Sequence, residues 1–285
     1  MKRRDFRFLD RQRVRAAEID ATGSVFNAHY LAYVDSALAG YWRASALPPA
    51  QTMSAIGGLM TVHKTSLEFH GPARYDDVLD VGVRCARIGQ TSLTFAAAVF
   101  RQDTLLVGCE MVLDLTAVAT GLPLILPHEM REALQGFEAG RNMVEVRVGS
   151  WDELGRDAGA IRTAVFVEEQ QIPAEMEWDD ADAECVHAVA YNRFGAPLAT
   201  GRLLEHVPGV AKIGRMAVAQ AMRGSKVGRA VLDALMKAAR ERGDREAVLH
   251  AQVSAAPFYA RAGFVPRGAE FDEAGIPHIE MVRGL

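Results

Sequence analysis

The chain is predicted to fold as two α+β domains in series. Three observations carry this. Residues 28–46 have helical periodicity and are followed by stretches of period two, the pattern of one helix and a run of antiparallel strands. Residues beyond 144 alternate strand-like and helix-like stretches around a strand, glycine turn and helix at 212–242. Between the two lies QGFEAGRNM, residues 135–143, a run of glycines and charges suited to a linker. A length of 285 residues, 49% of them hydrophobic, allows two ordinary cores.

Composition narrows the function. A formal net charge of -4 gives no basic footprint for nucleic acid. Cys85, Cys109 and Cys185 are far apart and lack CxxC spacing, so neither a disulfide framework nor a metal site is expected. The start, MKRRDFRFLDRQRVR, is basic but no apolar core follows it. No secretory signal and no membrane-spanning run are expected, and the protein is read as cytoplasmic.

The elements follow in order. Residues 13–19 form a short strand candidate, and Asp20-Ala21-Thr22-Gly23-Ser24 is turn chemistry. Asn27 is a suitable N-cap for the helix at 28–46. Tyr30, Leu31, Val34, Ala37, Leu38 and Tyr41 keep helical spacing, with Ala32, Ala39 and Ala44 on other faces, so the helix should be buried all round. Pro48-Pro49 ends it. Alternation then predicts strands at 59–70, 81–85, 93–99 and 107–115, and 127–137 reads as a closing helix.

The second half restarts with a strand at 144–148 and a helix at 151–169. Strands are expected at 186–192, 198–204, 212–218, 248–253 and 279–282, with helices at 227–242 and 255–262. Ile213, Met216 and Val218 read as buried strand positions. Arg223, Gly224 and Gly228 then set a cation and two permissive backbone positions before the helix. Free N–H groups and the positive helix end make this an anion site, although an ordinary strand–turn–helix junction has the same pattern.

The residues Asp20-Ala21-Thr22-Gly23-Ser24-Val25-Phe26-Asn27-Ala28-His29-Tyr30 carry a resemblance. Over residues 8–137 the chain resembles the hotdog-fold acyl-CoA thioesterases of the 4-hydroxybenzoyl-CoA thioesterase type. That fold wraps an antiparallel sheet around a central helix. The resemblance implies that Asp20 is nucleophile or general base on an acyl-CoA thioester. It also implies that backbone N–H groups at Phe26, Asn27 and Ala28 polarise the carbonyl. Thioester hydrolysis needs such a group and such fixed donors. From the residues alone, Asp20 and Asn27 read equally as turn and capping positions. Many relatives have histidine where Ser24 stands, which leaves open a silent acyl-CoA-binding or dimerising module. The family further implies a homodimer or tetramer formed through this domain.

The second half, residues 144–285, resembles the GNAT N-acetyltransferases of the ElaA/YjcF type, with a mixed sheet flanked by helices. The matching blocks are Val165-Phe166-Val167-Glu168-Glu169-Gln170, Lys212-Ile213-Gly214-Arg215-Met216-Ala217-Val218, Arg223-Gly224 with Gly228, His250-Ala251-Gln252, Phe258-Tyr259-Ala260-Arg261-Ala262-Gly263-Phe264 and Gly275-Ile276-Pro277-His278-Ile279-Glu280-Met281. The resemblance implies acetyl-CoA as donor. Met216, Ala217 and Val218 then contact pantetheine and the acetyl carbonyl. Arg223, Gly224, Ser225, Lys226, Val227, Gly228 and Arg229 cradle the pyrophosphate. Tyr259 protonates the departing thiolate, a step suited to a phenol.

The acceptor is expected to be a small-molecule amine or a peptide amine. Its ammonium must lose a proton, for which Glu168, Glu169, Glu205, His187, His250 and His278 are candidates; Glu168, His187 and His278 are expected to meet substrate. The acidic run 175–180 reads as a solvated loop before it reads as an attractor for a cationic amine. Lys226 stands where the family pattern has its middle glycine. A positive φ there would cost a lysine strain. The domains expected are thus 1–137, a linker at 138–143, and 144–285.

Overall fold

The computed structural model describes residues 1–285 and divides into two units, Met1–Met143 and Val144–Leu285. In the first, the elements are β1 (Phe8–Arg13), α1 (Asn27–Ala44), α2 (Pro49–Ile56), β2 (Gly58–Phe69), β3 (Val78–Ile88), β4 (Ser92–Arg101), β5 (Thr104–Ala117) and α3 (His128–Glu138). The strands form one antiparallel sheet in the order β1-β3-β4-β5-β2. Helix α1 lays Tyr30, Tyr33, Val34, Ala37, Leu38, Tyr41 and Trp42 into the core. Phe95 of β4 meets Tyr41 and Trp42 edge-on, at 5.4 and 5.6 Å between ring centres. The central helix and the sheet are those expected, with five differences.

Helix α1 buries one face only: Leu31, Ala32 and Ala39 are exposed, because the sheet of this unit covers a single side. Phe26, not Asn27, is the N-cap, and Asn27 opens the helix. The first strand lies at Phe8–Arg13, where it pairs with β3, and residues 16–18 form a short 3-10 turn. The two prolines end α1 but also begin α2, since Pro49 sits at a first-turn position that needs no N–H. Residues 139–143 belong with this unit, where Met143 is buried.

The second unit contains β6 (Glu145–Gly149), α4 (Trp151–Arg162), α5 (Ala174–Glu177), β7 (Val186–Tyr191), β8 (Pro197–Val207), β9 (Val210–Val218), α6 (Val227–Arg242), β10 (Glu246–Gln252), α7 (Ala256–Arg261), β11 (Val265–Glu273) and β12 (Ile276–Gly284). Helix α4 runs on as a π-helical stretch, Thr163–Glu169. The sheet order is β11-β12-β10-β9-β8-β7-β6, antiparallel except for β9 and β10. Strand β11, exposed at every position, has no buried stripe to give it away in the sequence. No helix of either unit is long and apolar enough to cross a membrane.

The acidic run 175–180 is a solvated loop only in part: Glu175, Asp179 and Asp180 are exposed, but Glu177 is buried and Asp179 is paired with Arg202 and Arg215. Glu177 and Asp182 are buried, and Arg162, 1% exposed, lies between them. Its Nη1 and Nη2 donate to the two Asp182 carboxylate oxygens at 2.8 and 3.0 Å. Nε donates to Glu177 Oε1, and Nη2 also to the Glu177 carbonyl at 2.9 Å. The rings of Trp151 and Trp178 lie 5.5 and 4.7 Å from its guanidinium carbon. Burial works against the charge on Asp182, but the hydrogen bonds from Arg162 and Arg202 prevail and hold its pKa low. Burial raises Glu177 instead, despite the same arginine.

Removing the guanidinium leaves buried Glu177 with Arg215 alone and buried Asp182 with Arg202 alone. Arg162→Ala is expected to destabilise the second unit by about 3–5 kcal/mol. The check is urea unfolding followed by the fluorescence of Trp151 and Trp178; an unmoved midpoint would contradict the assigned role.

Candidate functional site

Strands β9 and β10 run parallel and paired from Val210 and Glu246 up to Ile213 and Leu249, then part. Strand β10 stays paired to β12 as far as Gln252 opposite His278, and β9 stays paired to β8 as far as Val218 opposite Ala199. At the parting β9 carries a bulge, with Gly214 opposite Arg202 and Ala217 opposite Thr200. Arg215 in the bulge has φ 52°. Met216 tucks its sulfur over Gly201, into the space that a side chain there would need. The wedge opens into a cavity of about 1090 Å³ that reaches from the start of α6 to β12.

One end of the cavity is the turn into α6. Gly224, with φ 82°, and Lys226, with φ 70°, are both left-handed, and Lys226 is the N-cap. Lysine therefore stands at a position that favours glycine. The backbone N–H groups of Lys226, Val227, Gly228 and Arg229 have no acceptor in the protein. Gly228 lets the helix close on β9, since a Cβ there would meet Val218 at 2.9 Å. Arg223 is held by Glu169 through two bonds of 2.6 Å, and its hydrogen bonds hold the Glu169 carboxyl below its ordinary pKa. Ser225 turns its hydroxyl to the Met222 carbonyl, and it does not line the cavity. Arg229 is fixed by Asp233 at 2.9 Å.

Met216, Ala217, Val218 and Tyr259 line the middle of the cavity. Tyr259 is buried at 8% exposure, its hydroxyl has no partner in the protein, and burial raises its pKa, so it remains a proton donor. At the far end stand His250, Glu273 and His278. His250 Nδ1 lies 3.3 Å from a Glu273 carboxylate oxygen, and His278 Nδ1 lies 2.8 Å from the Ile276 carbonyl.

Two of the expected contact residues are elsewhere. Glu168 is exposed on the π-helical stretch and outside the cavity. His187 is buried in the core, its Nε2 2.9 Å from the Asp182 carbonyl and its ring against Trp151. Burial lowers its pKa and keeps it neutral. Glu205 does not line the cavity either. Glu177 and Asp179 of the acidic run, Arg215, quoted above only within a matching block, and Arg202, which the sequence reading passed over, form one wall. No group of three or more His, Cys, Asp or Glu side chains is arranged to hold a metal ion.

In the first unit, Asp20 begins a tight turn closed by Asp20 N–H to Ser24 C=O at 2.8 Å, with Gly23 at φ 76°. Its Oδ1 accepts from Thr22 Oγ1 at 2.6 Å and from Thr22 N–H at 2.8 Å. These bonds lower the Asp20 pKa. Oδ2 has no partner. Phe26, Asn27 and Ala28 are exposed; the N–H groups of Asn27 and Ala28 find no acceptor in the protein, but that of Phe26, expected to face the substrate, donates instead to the Glu18 carbonyl at 2.9 Å. Buried Glu18, which the sequence did not single out, accepts from Arg15 and Tyr33 just behind this turn.

Comparison with known proteins gives two separate matches. Residues 156–285 match the model of the acetyltransferase (GNAT) domain, and residues 22–107 match that of the thioesterase superfamily. The second match begins two residues after Asp20. The second half is similar to the uncharacterised N-acetyltransferase YjcF of Bacillus subtilis, 38% identical over 133 residues, covering 46% of this chain and 94% of YjcF. It is also similar to ElaA of Escherichia coli, 32% identical over 127 residues, covering 43% of this chain and 82% of ElaA. Among solved structures, a 1,4-dihydroxy-2-naphthoyl-CoA thioesterase from Synechocystis aligns at 18% identity with a TM-score of 0.42, covering 45% of this chain and 95% of that one.

The left-handed N-cap makes a direct prediction. Lys226→Gly should stabilise the second unit by about 1 kcal/mol, because an L-side chain in this region costs that order of strain. Thermal unfolding of both forms measures it, and a glycine variant less stable than the parent would refute it.

Proposed function

Starting from a chain that belongs to the GNAT acetyltransferase family through its second half, related to YjcF and ElaA, and that joins to it a hotdog domain of the thioesterase superfamily, we propose a bifunctional CoA-thioester enzyme. The C-terminal unit transfers acetyl from acetyl-CoA to an amine. The N-terminal unit hydrolyses an acyl-CoA. The observation that carries the first part is the parting of β9 from β10 beside four N–H groups without acceptors, in one cavity with the Tyr259 hydroxyl.

In this reading the N–H groups of Lys226 to Arg229 bind the pyrophosphate, and the positive end of α6 favours its charge. Arg223 exchanges Glu169 for a phosphate oxygen, a bidentate geometry that guanidinium offers to either partner. Gly224 keeps the turn open, with nothing within 4 Å of where a Cβ would lie. The unpaired edge of β9 at Met216–Val218 aligns the pantetheine arm and the acetyl carbonyl. Tyr259 donates its proton to the leaving thiolate.

For the hydrolytic half, Asp20 Oδ2 is the free oxygen of an ionised carboxylate and acts as nucleophile or base. Asn27 and Ala28 N–H groups receive the developing oxyanion at the positive end of α1. Strand β2 is a 12-residue edge strand with Leu59, Val62 and Phe69 exposed, and a long edge of this kind favours pairing with a second copy. A homodimer or tetramer formed through this unit, in a reducing cytoplasmic setting, is part of the proposal. A second reading, in which this unit binds acyl-CoA or dimerises without catalysis, is favoured by Ser24 and by the turn bonds that occupy Oδ1.

Acetyl-CoA is expected to raise the melting temperature of the full chain. Tyr259→Phe should lower kcat by about a hundredfold while leaving KM for acetyl-CoA little changed. Equal rates in mutant and parent would take the proton-donor role from Tyr259. For the other half, thiol release from a panel of acyl-CoAs should vanish in Asp20→Ala. Because the Asp20 pKa is lowered, the activity of the parent should not fall from neutral pH down to mildly acidic pH. Release by neither form would favour the silent module.

A further inference from the structure

Resting on the acetyltransferase reading above, we propose that His250 is the base that takes the proton from the acceptor ammonium, with Glu273 holding it in the working tautomer.

Most other titratable groups near the cavity are already committed or lie outside it. Glu169, which Arg223 releases on meeting phosphate, does not line the cavity. Glu177 is locked between Arg162 and Arg215, and Asp179 between Arg202 and Arg215. Each would have to break a salt bridge to accept a proton. His278 has a carbonyl on Nδ1 and no carboxylate within ion-pair distance, so nothing nearby would stabilise its imidazolium. His250 differs from all of these. Glu273 can only accept, so the imidazole proton sits on Nδ1 and the lone pair on Nε2. Nε2 lies 3.9 Å from Glu280, too far for a hydrogen bond and close enough to stabilise the imidazolium once it forms. The Phe271 ring meets the imidazole edge-on at 5.0 Å and limits its rotation.

Register places this pair on the acceptor side. Strand pairing sets Lys212 opposite Val248, and His250 opposite Glu280, on one face of the sheet. The other face packs on α6: a Cβ on Gly201, on the same face as Leu203 and its partner Ile213, would meet Val231 and Leu235 of α6. The charged groups facing His250 are Glu273 and Arg267 from β11, Glu280 from β12 and Lys212 from β9, with His206 of β8 near Glu280. Arg267 is itself neutralised by Glu280 and Glu246.

The protons balance as follows. His250 Nε2 takes one proton from the ammonium and later passes it to solvent. The neutral amine nitrogen bonds to the acetyl carbon, and the carbon–sulfur bond breaks. Tyr259 gives its proton to the thiolate and regains one from the amide nitrogen. The products are the acetamide, CoA thiol and one proton released to water.

The test uses the full chain, with acetyl-CoA and three amines: spermidine, glycinamide and 2-phenylethylamine. His250→Gln is expected to lower kcat/KM for the amine by about a hundredfold. The thermal shift given by acetyl-CoA should not change. Glu273→Ala should lower kcat/KM for the amine by about tenfold and let the imidazole proton redistribute onto Nε2, read by nitrogen–proton NMR. Long-range nitrogen–proton NMR of the neutral parent should show His250 protonated on Nδ1. A His250→Gln rate within about threefold of the parent, or a proton found on Nε2, would overturn the proposal. If the parent shows neither a thermal shift nor acetylation of any of the three amines, the acetyltransferase reading falls and takes the base with it. A thermal shift with transfer intact in the variant removes His250 alone.

Discussion

Everything in the second unit that could do chemistry depends on two strands that stop pairing. Parallel strands share slanted hydrogen bonds at every step, so β9 and β10 would be expected to continue together past Ile213 and Leu249. Strand β9 instead takes an extra residue into its pairing with β8, and a bulge bends the strand that carries it. The distortion is held from both sides. Arg215 at φ 52° is tied to Asp179 and Glu177, and Met216 fits only because Gly201 opposite has no side chain. The result is a wedge with backbone polar groups along one edge and a helix N-terminus at its end.

The wall that closes this wedge is built on buried charge. Arg162, Arg202 and Arg215 share Glu177, Asp179 and Asp182 among them. Such pairs contribute little net stability, since desolvation offsets most of their attraction. What they supply here is position. Within residues 170–185 only Cys185 buries an apolar side chain, and the guanidinium forks fix the segment against β8 and β9 in a defined geometry. An apolar packing of similar volume would leave no reason for Asp179 and Arg215 to meet at the cavity.

The two units meet related chemistry with different parts. In the second, four N–H groups at the start of α6 face a cavity, and the Tyr259 phenol beside them is buried. In the first, the start of α1 offers two N–H groups in the open, beside a carboxylate that its own turn keeps ionised. Both arrangements leave N–H groups at a helix start without acceptors, a feature of the backbone that needs no particular side chain.

What the sequence determined by itself was local. Period two and period 3.6 located most strands and helices. The spacing of Arg223, Gly224 and Gly228 located the turn before α6, and the lysine in place of a glycine marked the position that proved left-handed. These signals lie within one turn of chain, where sterics and hydrogen bonding act between neighbours. Signals that require a partner were invisible. The acidic run looked solvated because Arg162, Arg202 and Arg215 stand 15 to 38 positions from the carboxylates they neutralise. Glu169 gave no hint of Arg223, 54 residues on, and His187 looked like His250 until one was found in the core and the other on a cavity wall. Strand β11, exposed throughout, had no pattern to read. Only the tertiary structure could decide which charges are buried and paired and which remain free to react, because a side chain's charge is fixed by its residue type but its solvation by distant parts of the chain.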